Sequence, residues 1–321
     1  MIRTTPTIVC VSANPALDRR LRLPSLSLGE VNRAKTSLTL SGGKAAHVAM
    51  TAKALGARAV WIGFLGGATG DECEAGLKKY KIEVEAVRTE SATRVNLEAV
   101  EDSGRVTEVL EPGGAVDRGE RDAMLRVLDA RLRCDWSGAG VVISGSLPPG
   151  LTPEFYRTMT EVARAAGSKV FIDTSGDALR DSLSARPEVA KPNRSEAEVL
   201  LGAKIGNVEQ AIAGAKKMLG LGAGSVAITL GAEGLVWLPN AADLSWIAKP
   251  PKLKPISTVG CGDATMAGIA YSALSDMDAE DAVRLAAACG AAMCVTELGA
   301  QISEKDVQSM LSRIEVRSVV P

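Results

Sequence analysis

Short apolar runs alternate with longer amphipathic stretches along most of this chain. Residues 7–13, 58–65, 140–144, 169–173 and 225–230 are rich in β-branched residues and bounded by glycine or polar residues. Strands so nearly continuous in hydrophobicity need cover on both faces. Between them, 44–55, 71–80, 120–132, 153–166, 195–201 and 208–219 carry helix-like patterns. Strand and helix in turn imply a largely parallel sheet with helices on both sides, a three-layer α/β domain. The last third, from Asp263 onward, is alanine-rich and reads as helical. A length of 321 residues allows two ordinary domains or one large α/β domain with additions; the alternation favours a single domain over 1–321.

Two regions break the rhythm. Residues 18–41 hold alternating leucines (Leu21 and Leu23, then Leu38 and Leu40) and no convincing helix. Residues 93–110 read as two strand-like runs around Asp102-Ser103-Gly104, a good hairpin turn. Both lie between strand–helix units. They are expected to form one small antiparallel sheet, a lid built from about 14–41 and 91–112. One face of such a sheet needs burying, and a substrate is one candidate cover. The exposed remainder points to a homodimer through the lid.

Lysine and arginine number 37 against 38 acidic residues, a net charge of −1. That balance excludes a nucleic-acid coat or a membrane-surface protein, while leaving room for a local basic pocket. Aromatics at 3% argue against a base-stacking platform. His47 is the only histidine, which removes HExxH zinc hydrolysis and two-histidine iron sites. The six cysteines are irregularly spaced with no CxxC, as expected of reduced thiols in a cytoplasmic protein. The apolar run at 8–11 is too short for a signal sequence, and nowhere do about 18 apolar residues follow one another.

Five segments carry possible chemistry. STVGCGDATMAG (257–268) places Gly260 and Gly262 around Cys261 where the chain would turn into a helix. Free amides and the helix dipole there make an anion hole. Asp263 beside it is suited to take a proton from a hydroxyl while the hole holds a transferring phosphoryl group; a plain helix-start residue is the alternative. SGGKAAHVA (41–49) opens a helix with Gly42 and Gly43, which let a ligand approach backbone amides or merely make a turn. It is not a Walker A loop. In KPNRSE (191–196), Asn193 and Glu196 stand in capping-box register after Lys191, and capping explains them as well as metal or phosphate contact does. TLGAEG (229–234) ends a strong strand, with Gly231 and Gly234 making room for a nucleotide or for a hairpin. Arg94 and Arg33 lie in opposite halves of the small sheet, where they either clamp a phosphate monoester or stand in solvent.

Taken together, these segments resemble the ribokinase-like sugar kinases of the phosphofructokinase B family. SGGKAAHVA looks like the N-terminal signature and STVGCGDATMAG like the C-terminal one, with ISGSLPPG (143–150), KPNRSE and TLGAEG in family order between them. The likeness covers about residues 7–310. NPALD (14–18), GGATG (66–70), TRVNLE (93–98) and SGSLPPG favour the branch that phosphorylates sugar phosphates, namely 1-phosphofructokinase, tagatose-6-phosphate kinase and the minor 6-phosphofructokinase. The resemblance implies MgATP-dependent phosphoryl transfer to a primary hydroxyl of a phosphorylated ketohexose. It assigns Asp263 as general base, with Gly260, Cys261 and Gly262 as the anion hole. Asp18, Gly42, Gly43 and Arg94 match positions that hold the sugar phosphate, with Arg33 and Ser146 as weaker matches. Lys191, Asn193, Glu196, Thr229, Gly231 and Gly234 fall on the nucleotide side, Glu196 acting on Mg²⁺ indirectly. A monovalent cation is a further candidate cofactor. Two alternatives are a kinase of a free sugar or nucleoside and a non-catalytic binding protein on the same scaffold.

The chain departs from the family at two places. Cys261 replaces the usual alanine, a small change. His47 stands where similar kinases carry asparagine, so it belongs among the substrate-side residues and puts the exact sugar in question. A bound phosphate beside it would favour imidazolium, against a packed, neutral ring away from ligand as the alternative.

Overall fold

The computed structural model describes residues 5–240, 244–296 and 301–320. Strand β1 (Thr7–Ser12) lies inside a ten-stranded sheet. The chain leaves that sheet for β2 (Ala16–Leu23) and β3 (Thr36–Gly42), then returns through α1 (Lys44–Ala54) to β4 (Arg58–Leu65). Helix α2 (Gly67–Lys79) leads to β5 (Glu83–Arg88), and a second excursion makes β6 (Arg94–Glu101) and β7 (Val106–Leu110). Regular alternation then resumes with α3 (Arg118–Arg133), β8 (Gly140–Ser144), α4 (Glu154–Ala165), β9 (Val170–Asp173), α5 (Gly176–Ser184) and β10 (Val189–Ala190). Two helices, α6 (Arg194–Leu201) and α7 (Val208–Gly220), precede β11 (Ser225–Thr229). The chain closes with β12 (Leu235–Leu238), β13 (Ser245–Lys249), α8 (Cys261–Leu274), α9 (Ala279–Cys294), α10 (Glu304–Leu311) and β14 (Glu315–Val319).

The large sheet runs β14-β13-β12-β11-β10-β9-β8-β1-β4-β5. From β5 to β11 every pairing is parallel, and β12 to β14 add on antiparallel. Strand β1 shows why its run is unbroken. Ile8 and Cys10 face a core shared with Val48 of α1, Ile269 of α8 and Ala288 of α9. Val9 and Val11 face a second core with Met124 of α3, Met159 of α4 and Leu179 of α5. Both faces are dry, which gives the three-layer α/β fold. No helix among the described residues is long and apolar enough to cross a membrane.

The last third is helical only in part: β14 ends it, pairing with β13 from Ser245↔Val319 to Lys249↔Glu315. The small sheet also differs from the antiparallel arrangement its sequence suggests. Its order is β3-β2-β6-β7. The two hairpins are antiparallel, but the central ladder, Ala16↔Arg94 to Leu23↔Glu101, is parallel. The reason lies in the body. β1 and β5 point the same way in the parallel sheet, so the hairpins that follow them start side by side from one edge. The first strand of each then continues in a common direction.

Candidate active site

Helix α8 begins at Gly260, whose φ of +79° is readily adopted only by glycine. The first-turn amides of a helix lack intrahelical partners; Cys261 N reaches Thr258 O at 3.4 Å, which leaves the Gly262 and Asp263 amides as donors at the positive end of the dipole. Asp263 lies in that turn and is 6% exposed. Its carboxylate does not cap the helix. Instead Oδ2 faces Nδ1 of His47 at 2.8 Å.

His47 reaches this point because α1 starts directly from the end of β3, with Gly43 at φ +82° as its N-cap. The other ring nitrogen, Nε2, lies 3.4 Å from Oδ2 of Asp18 on β2. Asp18 also accepts from Asn96 Nδ2 on β6 at 2.9 Å. Any side chain at Gly42 would overlap the Asp18 carboxyl, so the close approach of β3 to β2 requires glycine there. Burial works to raise the Asp18 pKa, but hydrogen bonds from His47, Asn96 and the Gly43 amide, with the His47 charge, hold it below the usual carboxylate value. Burial would likewise lower the His47 pKa. The hydrogen bonds and charges of Asp18 and Asp263 outweigh it and raise the ring from 6.5 to about 10. The carboxylates of this chain thus supply the shift that the sequence reading assigns to a bound phosphate.

Near Asp263 runs a network of two lysines and two carboxylates. Asp173, at the end of β9 and 1% exposed, receives Lys44 Nζ at 2.9 Å and Lys191 Nζ at 2.8 Å. Lys44 extends to Glu196 Oε1 at 3.3 Å. Burial opposes the Lys44 charge, but Asp173, Glu196 and Asp263 together raise its pKa. Lys191 Nζ lies 3.5 Å from where a side chain at Gly262 would begin, so it flanks the anion hole. The capping box of α6 is closed: Glu196 N donates to Asn193 Oδ1 at 2.9 Å, and Asn193 N to Glu196 Oε2 at 2.8 Å. Thr229 is bridged to Asn193 in parallel and donates its amide to Pro192 O. Gly231 and Gly234 form the hairpin between β11 and β12, and a side chain at Gly234 would overlap the Ala248 carbonyl. Lys191, Asn193 and Thr229 follow or end parallel strands at their C-terminal edge, where open α/β sheets bind ligands.

On the lid side, Arg94 opens β6. Its guanidinium donates to Glu111 O at 2.8 Å and Asn14 O at 3.0 Å, while Nε is buried without a partner. Asn14 Nδ2 donates in turn to Ser146 Oγ at 3.1 Å. Arg33 is not part of this cluster. It is exposed in the connection from β2 to β3, beyond the Arg22–Thr36 end of their ladder, whereas Asp18 and Gly42 lie toward the other end. Cys261 Sγ lies 2.9 Å from Cys294 Sγ at the end of α9.

Sequence reasoning overlooked Asp173, Lys44, Asn96 and the buried Arg20–Glu98 pair, 2.7 Å apart on the lid. The signals exist. Asp173 is a single carboxylate closing an apolar parallel strand, the edge at which such sheets place function. In TRVNLE, a period of two puts Arg94, Asn96 and Glu98 on one face.

No cluster of three or more metal-ligating side chains occurs among the described residues. Both Glu196 oxygens are engaged, by Asn193 and Lys44, which fits an indirect rather than a direct role toward a divalent ion. Two lysines beside a free helix N-terminus fit the phosphates of a nucleotide.

The chain matches the pfkB family of carbohydrate kinases over residues 8–306. It is 32% identical over 313 residues to 1-phosphofructokinase of Escherichia coli strain K12, covering 97% of this chain and 98% of that protein. It is 30% identical over 319 residues to 1-phosphofructokinase of Vibrio cholerae, covering 99% and 98%. Among solved structures it superimposes on phosphofructokinase-2 from Escherichia coli in complex with potassium, with a TM-score of 0.89, 27% identity and coverage of 96% and 99%. Matched along nearly its whole length in sequence and in fold, the chain belongs to the pfkB family of carbohydrate kinases.

Proposed function

We propose that this enzyme transfers the γ-phosphoryl group of ATP to a primary hydroxyl of a phosphorylated ketohexose, with fructose 1-phosphate as the first substrate to test. One observation carries the reading. A buried carboxylate, Asp263, stands at the N-terminus of α8 and is joined through His47 to Asp18 on the lid. Base, anion hole and sugar-side carboxylate are then parts of one contact chain. The names of the relatives support the phosphosugar and, among phosphosugars, fructose 1-phosphate; fructose 6-phosphate and tagatose 6-phosphate are the competitors.

In this reading Asp263 accepts the hydroxyl proton as the oxygen attacks. The amides around Gly260–Gly262, with Lys191 beside them, face the charge that develops on the phosphoryl group. Asp173 holds Lys44 and Lys191 in place and helps to keep Lys44 charged. Glu196, fixed by its capping box and by Lys44, would hold water on a magnesium ion carried by the nucleotide. Bound there, Mg²⁺ neutralises phosphate charge. Asn193, Thr229, Gly231 and Gly234 border the nucleotide. Arg94, with Asn14 and Ser146, holds the phosphate already on the sugar, and closure of the lid keeps water from competing as acceptor. A monovalent cation is a further expected activator, supported by the potassium complex of the Escherichia coli neighbour.

The lid also carries exposed apolar side chains: Leu28, Val31, Val109 and Leu110 are each more than half exposed. They support a homodimer through the lid, to be measured by light scattering on the wild type and on Val109→Lys/Leu110→Glu.

The test of function is a coupled ADP-release assay across the three phosphates, free fructose, free ribose and adenosine. Turnover on at least one ketohexose phosphate should exceed that on every unphosphorylated acceptor. Faster turnover on a free sugar or nucleoside would replace this reading.

A further inference from the structure

Both ring nitrogens of His47 face carboxylate oxygens: Nδ1 lies 2.8 Å from Asp263 Oδ2 and Nε2 3.4 Å from Asp18 Oδ2. All three side chains are buried, at 6% to 7% residual exposure. An ionised carboxylate only accepts hydrogen bonds, and a neutral imidazole donates from one nitrogen and accepts at the other. With a neutral ring, one lone pair would therefore point at a carboxylate oxygen in a dry site. A doubly protonated ring satisfies both contacts at once.

We infer that His47, held as an imidazolium between Asp18 and Asp263, is a positioning residue that aims the base and couples it to the sugar-binding carboxylate. The role toward Asp263 rests on the proposed function above; the protonation of His47 does not. The ring takes Oδ2 of Asp263, so Oδ1 is the oxygen turned over to the acceptor hydroxyl. It also links elements with separate origins: Asp18 belongs to the lid, His47 to α1 and Asp263 to α8. Two carboxylates and one imidazolium carry a net charge of −1, where a neutral residue at 47 would leave −2. A substrate bearing a phosphate dianion meets less repulsion in the first case.

Other charged groups surround the ring. Lys44 lies on the same helix. The Arg20–Glu98 pair and Glu108 lie on the lid, with Arg20 and Glu98 lining the same small cavity as His47, Asp18 and Val259. Arg20 and Glu98 offset each other, which leaves Asp18 and Asp263 as the contacts that decide the ring's charge. The ring's pKa, pushed up to about 10 by Asp18 and Asp263 against its burial, agrees with this assignment.

His47 is the only histidine, so its ring can be followed in the whole protein without assignment. The test is an NMR titration of the imidazole in ligand-free wild type, Asp263→Asn and Asp18→Asn. The ring should stay protonated to well above pH 8 in wild type, and its midpoint should fall by a unit or more in each variant. A wild-type midpoint near 6.5, or one unmoved by Asp263→Asn, overturns the inference whatever the enzyme phosphorylates. Steady-state kinetics supply the second arm, run on whichever acceptor the wild type turns over. With the fold checked by circular dichroism, His47→Ala should lower kcat about 10-fold or more while KM for ATP stays within about two-fold. His47→Asn, which can still donate to Asp263, should recover part of kcat. An unchanged kcat in the folded alanine variant would make the ring mere packing. No sugar-phosphate activity in wild type, with the titration as expected, would defeat the proposed substrate and leave the imidazolium standing.

Discussion

The body and the lid are built on opposite principles. The central strands of the body are apolar on both faces, and the two cores they feed hold β1 residues at 0% exposure. The lid has four strands and buries charge instead. Asp18, Arg20, Asn96 and Glu98 are each under 10% exposed, while Leu110 and Val109 of its edge strand stand in solvent. A sheet that buries Asp18, Arg20, Asn96 and Glu98 beside Leu17 and Leu23 while Val109 and Leu110 stand exposed is shaped for partners as well as for its own stability. In the proposed function the contrast divides the chemistry: the body supplies the anion hole, the lysines and the nucleotide side, and the lid supplies recognition of the sugar. His47 and Arg94 sit on the seam: α1 and β6 both begin where lid and body meet.

The largest expected effect falls on the body's catalytic group. Asp263→Asn should retain the fold and both substrates but lose about 10²–10⁴-fold in kcat, the scale of general-base removal. Pre-steady-state measurements showing unimpaired phosphoryl transfer would break the division at its centre.

Next comes the body's buried charge. Asp173→Asn leaves Lys191, 2% exposed, and Lys44 without their shared anion. Breaking a buried pair costs about 3–5 kcal/mol, so urea unfolding should show a loss of that order. The exposed Lys35–Asp102 pair of the lid supplies the contrast. Asp102→Asn should change stability by less than about 1 kcal/mol, and equal losses from both variants would erase the distinction.

A further effect is pH dependence at the seam. The folded pKa of His47 is raised from 6.5 to about 10, so its contribution to stability is complete below 6.5 and is lost as pH climbs through about 10. The folded pKa of Asp18 is lowered from 3.8, so its contribution is present above that value and fades as pH falls through the folded pKa. Melting temperature followed from pH 6 to 10.5 should decline more in wild type than in His47→Asn. Parallel curves would mean that the ring titrates alike in the folded and unfolded chain.

The same contrast explains what the sequence discloses. Continuous strands such as 58–65 and 140–144 appear in the fold at those bounds, because burial on both faces leaves no other reading. β5, with alternating charges in EVEAVR, and β10, two residues long, lack that pattern and escape it. The lid's second hairpin is legible from turn chemistry at Asp102–Gly104 and its first strands from alternating leucines, but their parallel junction is not, since it depends on where the body releases the chain. At the site, the motifs find the residues and miss their pairing. Nothing in SGGKAAHVA says that His47 will meet Asp263, 216 residues later.

The division between lid and body is tested most directly by the kinetics of Arg94→Ala with both substrates varied. A charge-assisted contact is worth roughly 1.5–3 kcal/mol. KM for the sugar phosphate should therefore rise by about 10-fold or more, while KM for ATP stays within about two-fold. Equal increases for both substrates, or an unchanged sugar-phosphate KM, would contradict the assignment of phosphosugar recognition to the lid.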